Sequence, residues 1–329
     1  MMKNKTIILF ILVFICFLPS RSQDNDVIRI STSIVRLNVG VVDRSGRPVL
    51  NLRKEDFTVY EDGVKQTILN FEPNSSPFSV VLLLDMSGST LAFRQTLKFA
   101  AARFIDALAP EDRVAVIEFY DKINLRNDFT TDRKIILNSI NVANGRGKTQ
   151  LYKALEFALD KLEKEKNRRK AVVVLTDGVD TDFRDQDREV LSKLSEAKLE
   201  DFINPEENPL LRKIIEKAEQ EGISIYPLAL PTGDPKFLPD PTPLQIALFK
   251  TARKRLELLA QRTGTSLNAI NRLEEMGRIY AIVAAEIRTL YTIEYLSTND
   301  KRDGKWRTIK IETSNPEWLA RTRQGYYAK

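Results

Sequence analysis

An apolar run, Val80 to Leu84, ends at an aspartate, and from there every second residue carries a side-chain oxygen: Asp85, Ser87 and Ser89 in VVLLLDMSGST. Two further oxygen-bearing residues stand at comparable boundaries. Thr149 follows the turn GRGK at the start of the helical stretch LYKAL, and Asp177 ends a second apolar run in VVVLTDG. All five are hard donors and none is a thiol or imidazole, which suits Mg2+, Mn2+ or Ca2+ over zinc. Two carboxylates acting partly through water, with three neutral hydroxyls, leave a dication incompletely neutralised. Such an ion favours a foreign carboxylate in an open position, so the chemistry indicated is a metal that bridges to an acidic partner. Each piece also has a plain structural reading. Ser89 or Thr90 can cap the helix that follows, Thr149 can cap its own helix, and Thr-Asp-Gly is a common turn.

The elements that must position these residues follow from periodicity. Runs at 79–85, 113–119, 170–178, 223–230 and 265–270 read as strands, and the first and third are apolar almost throughout, as when helices cover both faces of a sheet. Between them lie amphipathic helices: Phe93, Leu97, Ala101, Phe104 and Leu108 share one face, as do Leu151, Leu155, Leu159 and Leu162, and Met276, Ile279, Val283, Ile287 and Leu290. Residues 183–221 read as charged helices broken at NPEENP, and 231–243 as a proline-rich loop. The fold class expected is α/β, a doubly wound, mostly parallel sheet. On either side the pattern changes to period two: 28–71, with a hairpin signal at Asp62-Gly63, and YTIEYLS, WRTIKIET and TRQGYYA near the end. These flanks predict a small antiparallel β-sandwich-like domain built from both chain ends. The domains expected are 27–73, an N-terminal β unit; 78–290, the α/β domain; and 291–329, strands that join the first unit.

Residues 1–22 read as a signal peptide cleaved near Ser22: Lys3 and Lys5, an apolar stretch from Ile7 to Leu18, then small residues. That stretch is short for a membrane span, so no stable span is expected after cleavage. Cys16, the sole cysteine, lies inside this segment, and an exported chain without disulfides must rely on its cores, a habit more typical of bacteria. The location expected is secreted or periplasmic. Cleavage takes away three basic residues and no acid, lowering the formal charge from +6 to +3, too mild a balance for a nucleic-acid partner. The chain has no histidine, which excludes histidine-based triads and histidine-ligated zinc.

Taken together and in order, DMSGST, GKTQLYKAL and LTDG resemble the three loops of a von Willebrand factor type A domain with a metal-ion-dependent adhesion site. The flanking segments resemble the secreted bacterial proteins grouped as VWFA-related, notably those of acidobacteria. The resemblance implies Mg2+, with Mn2+ or Ca2+ as alternatives, held by Asp85, Ser87, Ser89, Thr149 and Asp177. The three hydroxyls would bind it directly and the two aspartates largely through water. It implies a non-enzymatic binding or adhesion module for a protein partner that offers an Asp or Glu carboxylate, and a last helix, about 273–288, through which occupancy of the metal site is felt by the β-rich flank. The alternative is an envelope scaffold in which the metal only stabilises the fold. The sequence leaves the oligomeric state open.

Other motifs fit less well. GRGKT lacks the first glycine of a phosphate-binding loop, Val142 standing there. Asp85-x-Ser87 resembles the haloacid-dehalogenase phosphohydrolases, but serine occupies the position of their acid. Asp180, Asp182, Asp185 and Asp187 read as a solvated acidic loop with capping aspartates, or else as a second cation site. The basic run Lys164 to Lys170 reads as a helix C-terminus and loop, and Trp306 and the tyrosines of the flanks as packing residues.

Overall fold

The computed structural model describes residues 34–166, 168–199, 202–237 and 239–329. The signal-peptide expectation for 1–22 lies outside them, as does the start of the N-terminal β unit. In chain order the strands are β1 (Ile34–Val42), β2 (Phe57–Glu61), β3 (Val64–Gln66), β4 (Ile68–Glu72), β5 (Phe78–Asp85), β6 (Arg113–Phe119), β7 (Ile123–Thr130), β8 (Arg169–Thr176), β9 (Ile223–Ala229), β10 (Asn268–Ala269), β11 (Tyr291–Leu296), β12 (Trp306–Thr313), β13 (Leu319–Arg321) and β14 (Gly325–Tyr327). The helices are α1 (Arg94–Ala107), α2 (Arg133–Val142), α3 (Leu151–Glu163), α4 (Thr181–Leu191), α5 (Pro209–Glu221), α6 (Pro243–Arg262) and α7 (Met276–Thr289).

The central sheet has the order β10-β9-β8-β5-β6-β7, parallel except for the β6–β7 pair. β5 is apolar at nearly every position because successive side chains enter opposite cores. Val80, Leu82 and Leu84 pack with α1, α2 and α7, whereas Val81 and Leu83 pack with α3, α5 and α6. β7 is an antiparallel edge strand that periodicity did not reveal, since its sequence, INLRNDFT, is polar at most positions and mostly half-buried. The break at NPEENP is a short 3-10 turn at Pro205–Glu207, after which Asn208 caps α5 through the backbone N–H of Leu210 and Leu211.

The flanks form two antiparallel sheets, β13-β1-β11-β4 and β14-β12-β2-β3, each drawing strands from both sides of the α/β region. β1 pairs directly with β11, from Ile34 opposite Leu296 to Val39 opposite Tyr291. Their shared core holds Leu37, Val39, Phe57, Val59, Tyr291, Ile293, Tyr295 and Ile309. Asp62 and Gly63 both take positive φ (48° and 80°) in the β2–β3 hairpin, the backbone a tight two-residue turn demands. Among the described residues, no helix is long and apolar enough to cross a membrane.

Candidate metal centre

The chain leaves β5 toward α1, on one face of the sheet, and leaves the adjacent β8 toward α4, whose Phe183 belongs to the other face. A crevice forms at such a point, beyond the carboxyl ends of the two strands. Asp85 is the last residue of β5 and Asp177 follows the last residue of β8. Both are buried, and so are Ser87 and Thr149, while Ser89 is exposed.

The first and third loops meet through side chains. Ser87 donates its backbone N–H to Asp85 Oδ1 at 3.0 Å, and Thr176 donates its hydroxyl to Asp85 Oδ2 at 2.9 Å. The Ser87 and Ser89 hydroxyls lie 3.1 Å apart, and Ser89 is near enough to the Asp177 carboxylate to stabilise its ionised form. The second loop is fixed by its backbone. Gly88 N–H donates to Gly147 C=O at 3.0 Å. Thr149 N–H donates to Thr181 Oγ1 and Thr181 N–H donates to Thr149 C=O, both at 2.9 Å. Gly147 cannot be replaced here: its φ is +97°, and a Cβ would stand 2.2 Å from an oxygen of Asp121, whose carboxylate accepts the Lys148 N–H. Arg94 ties the first loop to the second. Its guanidinium donates to Met86 C=O, Ser87 C=O and Asn144 Oδ1.

The capping readings of these hydroxyls fail. Thr90 donates to Asp85 C=O and Ser87 C=O instead of capping α1, and the N-cap of α3 is Gln150, with no side-chain cap. The Thr149 hydroxyl takes no hydrogen bond among the described residues. Asp180 does cap α4, through Asp182 N–H and Phe183 N–H, and its other oxygen accepts Tyr152 N–H at the start of α3. The other acids of that loop are each matched by a cation: Asp182 by Lys153, Asp185 by Arg184, and Asp187 by both guanidinium nitrogens of Arg255 at 2.5 and 2.7 Å. This favours the capping reading over a second cation site, but the expected solvated loop is corrected: Asp182, Asp185 and Asp187 lie on α4, and Asp180 and Asp187 are buried. The basic run is a partial correction. Arg169 and Lys170 are buried on β8, where Arg169 donates to backbone carbonyls and Lys170 pairs with Glu221, so these two act as internal struts.

The electrostatics fit a cation. Asp85 and Asp177 are buried neighbours, and among the described residues neither has an ion-pair partner; Arg94 spends its bonds on carbonyls and an amide. Burial, and next to it the Asp177 carboxylate, push Asp85 up to about 7 despite the bonds from Ser87 and Thr176. Burial also raises Asp177, against the hydrogen bonds from Val179 N–H and Ser89. No cluster of three or more His, Cys, Asp or Glu side chains that could hold a metal occurs among the described residues. A cation here would therefore rely on the hydroxyls and on water, as hard divalent ions can. Periodicity could not find Thr176, Thr181 and Arg94, because each acts through the backbone or carboxylate of another residue.

Residues 80–179 match the family model of the von Willebrand factor type A domain. A search of curated proteins by sequence returns no match. Solved structures similar in fold include the vWF domain of the type V pili tip protein Mfa5 from Porphyromonas gingivalis, at 13% identity and a TM-score of 0.47, covering 65% of this chain and 95% of that one. A von Willebrand factor type A protein from Catenulispora acidiphila is 12% identical with a TM-score of 0.46, covering 91% and 64%. Proximal thread matrix protein 1 from the mussel byssus, solved with a zinc-occupied MIDAS motif, is 16% identical with a TM-score of 0.46, covering 67% and 47%.

Proposed function

We propose that this chain, with its von Willebrand factor type A match over residues 80–179, is an exported, non-enzymatic binding protein that captures an Asp or Glu side chain of a protein partner through a divalent cation, Mg2+ first and Mn2+ or Ca2+ next. What carries the reading is one observation. Two buried carboxylates, neither in a direct ion pair among the described residues, adjoin hydroxyls that are not used as helix caps, at the crevice where the sheet opens. Ser87, Ser89 and Thr149 would hold the ion directly. Asp85 and Asp177 would balance its charge, with Thr176 and Val179 N–H fixing their orientation. When bound, the cation supplies a Lewis-acidic position for a foreign carboxylate. The chain has no histidine to move a proton, and Ser87 stands where an aspartyl-phosphatase would need its acid.

The test is calorimetric titration of the chelator-treated protein with Mg2+ and Mn2+, followed by capture of partners from the envelope of the source cell with and without chelator. The wild type is expected to bind one cation and to release its partner when the cation is stripped. Ser87→Ala combined with Thr149→Ala should abolish both while the thermal unfolding curve stays cooperative. Partner capture that survives this pair of substitutions would overturn the proposal in favour of an envelope scaffold.

A further inference from the structure

Charge is shared unevenly around the mouth of the site. On the side of the third loop the acids are answered: Asp182 by Lys153, Asp185 by Arg184, and Asp234, on the loop after β9, by Lys236. The side of the second loop differs. Arg146 and Lys148 are exposed, and among the described residues no carboxylate pairs with either charged end. Lys122, on the adjoining β6–β7 turn, is exposed as well. Asp121, the one acid beside them among the described residues, accepts the Lys148 N–H at 2.6 Å and keeps its charge, so three cations face one carboxylate and this side carries a net positive charge.

These two residues lie very close to the donor set. Gly147, between them, accepts the N–H of Gly88, which itself lies between Ser87 and Ser89. Lys148 directly precedes Thr149. The charge of Arg146 is felt by Arg94, whose guanidinium donates to Ser87 C=O at 3.2 Å. An extended peptide advances roughly 3.5 Å per residue. An acid one or two positions from a carboxylate held at the cation therefore falls within reach of these long, flexible side chains.

We propose that Arg146 and Lys148 form a second subsite, which takes another carboxylate from the same partner. The preferred ligand is then an acidic peptide segment, with adjacent or alternate Asp and Glu, in preference to an isolated acid. The inference rests on the reading of the site given above. It deepens that reading by separating what anchors the partner, the cation, from what selects it, the basic rim.

The experiment compares two probes on the Mn2+-loaded protein by calorimetry or fluorescence titration: a blocked Gly-Asp-Gly peptide and a blocked Asp-Asp-Asp peptide. The tri-acid is expected to bind about fivefold tighter, as two solvent-exposed ion pairs allow, and the gap should shrink with added salt. Arg146→Glu with Lys148→Glu should erase the gap while Mn2+ still binds. The neutral pair Arg146→Gln and Lys148→Gln repeats the measurement without placing new acids beside the ion. Equal binding of the two probes to the wild type, or a gap that both double variants preserve, overturns the subsite and leaves the carboxylate receptor standing. If Mn2+ binds but neither peptide does, the receptor reading itself falls, and the subsite with it. Tighter binding of inorganic phosphate than of the tri-acid, lost in both variants, would reassign the rim to a phosphorylated ligand and also overturn the peptide proposal.

Discussion

Thr181 shows how a residue without a role of its own in binding can decide the site. It holds Thr149 by both backbone groups, so that the Thr149 hydroxyl is left unengaged. Replacing Thr181 by valine keeps the shape, removes the oxygen that accepts Thr149 N–H, and leaves that donor buried without a partner. Metal affinity is expected to fall about 10- to 100-fold, the range seen for residues that orient ligands, and Thr181→Ser should restore it; calorimetry with Mg2+ checks both. The aspartates make a second prediction at this scale. Asp85 is raised to about 7, above the ordinary carboxylate range, and Asp177 is raised too. A carboxyl with a folded pKa above its unfolded value keeps its proton longer in the fold. The ion-free protein therefore loses stability as pH climbs from about 4 toward 7. A bound cation needs the ionised forms. The difference in melting temperature between metal-loaded and chelated protein should widen from pH 5 to pH 7.5 and then level off, as thermal scans would show.

Among the elements, β8 joins the α/β region to the flanking sheets through its first residue. Arg169, at its first position, is buried and donates to Asn74 C=O and Ser76 C=O in the connection from β4 to β5, and to Leu290 C=O where α7 gives way to β11. Its guanidinium also lies 4.1 Å from the Phe78 ring centroid. Burial lowers it only to about 10, so it keeps its charge at neutral pH. One side chain thus pins both crossings between the α/β region and the flanking sheets. Arg169→Leu would leave buried carbonyls unpaired and is expected to cost about 3 kcal/mol, measurable by urea denaturation. Faster hydrogen exchange in 73–78 and 290–296, with the strands of the central sheet unaffected, would mark the lesion as a loosened junction. α6 is braced differently: Arg255 reaches Asp187 and stacks over Phe183, which in turn stacks on Tyr152 beside the second loop.

At the level of the whole described chain, β11 is the piece without which the flanks cannot exist. It is central in its sheet, between β1 and β4, and its Tyr291, Ile293 and Tyr295 fill the flank core. Tyr295 also donates to Glu61, a buried carboxylate that Ser297 and Tyr326 satisfy as well. A chain ended at Leu290 would strip β1 and β4 of their common partner and leave Glu61 without three of its donors. It should bind a hydrophobic dye and lose its cooperative transition, whereas the full chain unfolds cooperatively; dye binding and circular dichroism would tell the two apart.

Much of this was legible in the sequence because the forces concerned are local or periodic. The near-continuous apolar runs at 79–85 and 170–178 require a sheet covered on both faces, and the spacing of Leu151, Leu155, Leu159 and Leu162 requires a helix with one buried side. Asp85 and Asp177 were legible as strand-end residues, since the apolar runs stop just before them: Asp85 is the last residue of β5 and Asp177 follows the last residue of β8. β7 stayed hidden because an edge strand with few buried side chains carries almost no hydrophobic signature. Arg169 and Lys170 read as surface charge, because only the assembled sheet supplies the carbonyls and the carboxylate that make their burial tolerable. The hold of Thr181 on Thr149, of Thr176 on Asp85 and of Gly147 on Gly88 joins residues up to 91 positions apart. Such bonds come into being only when the sheet brings its loops to one edge. The sequence alone determined which oxygens were on offer; the tertiary structure decided that three of the hydroxyls would be free of capping duty and that two buried acids would share one crevice, neither in a direct ion pair among the described residues.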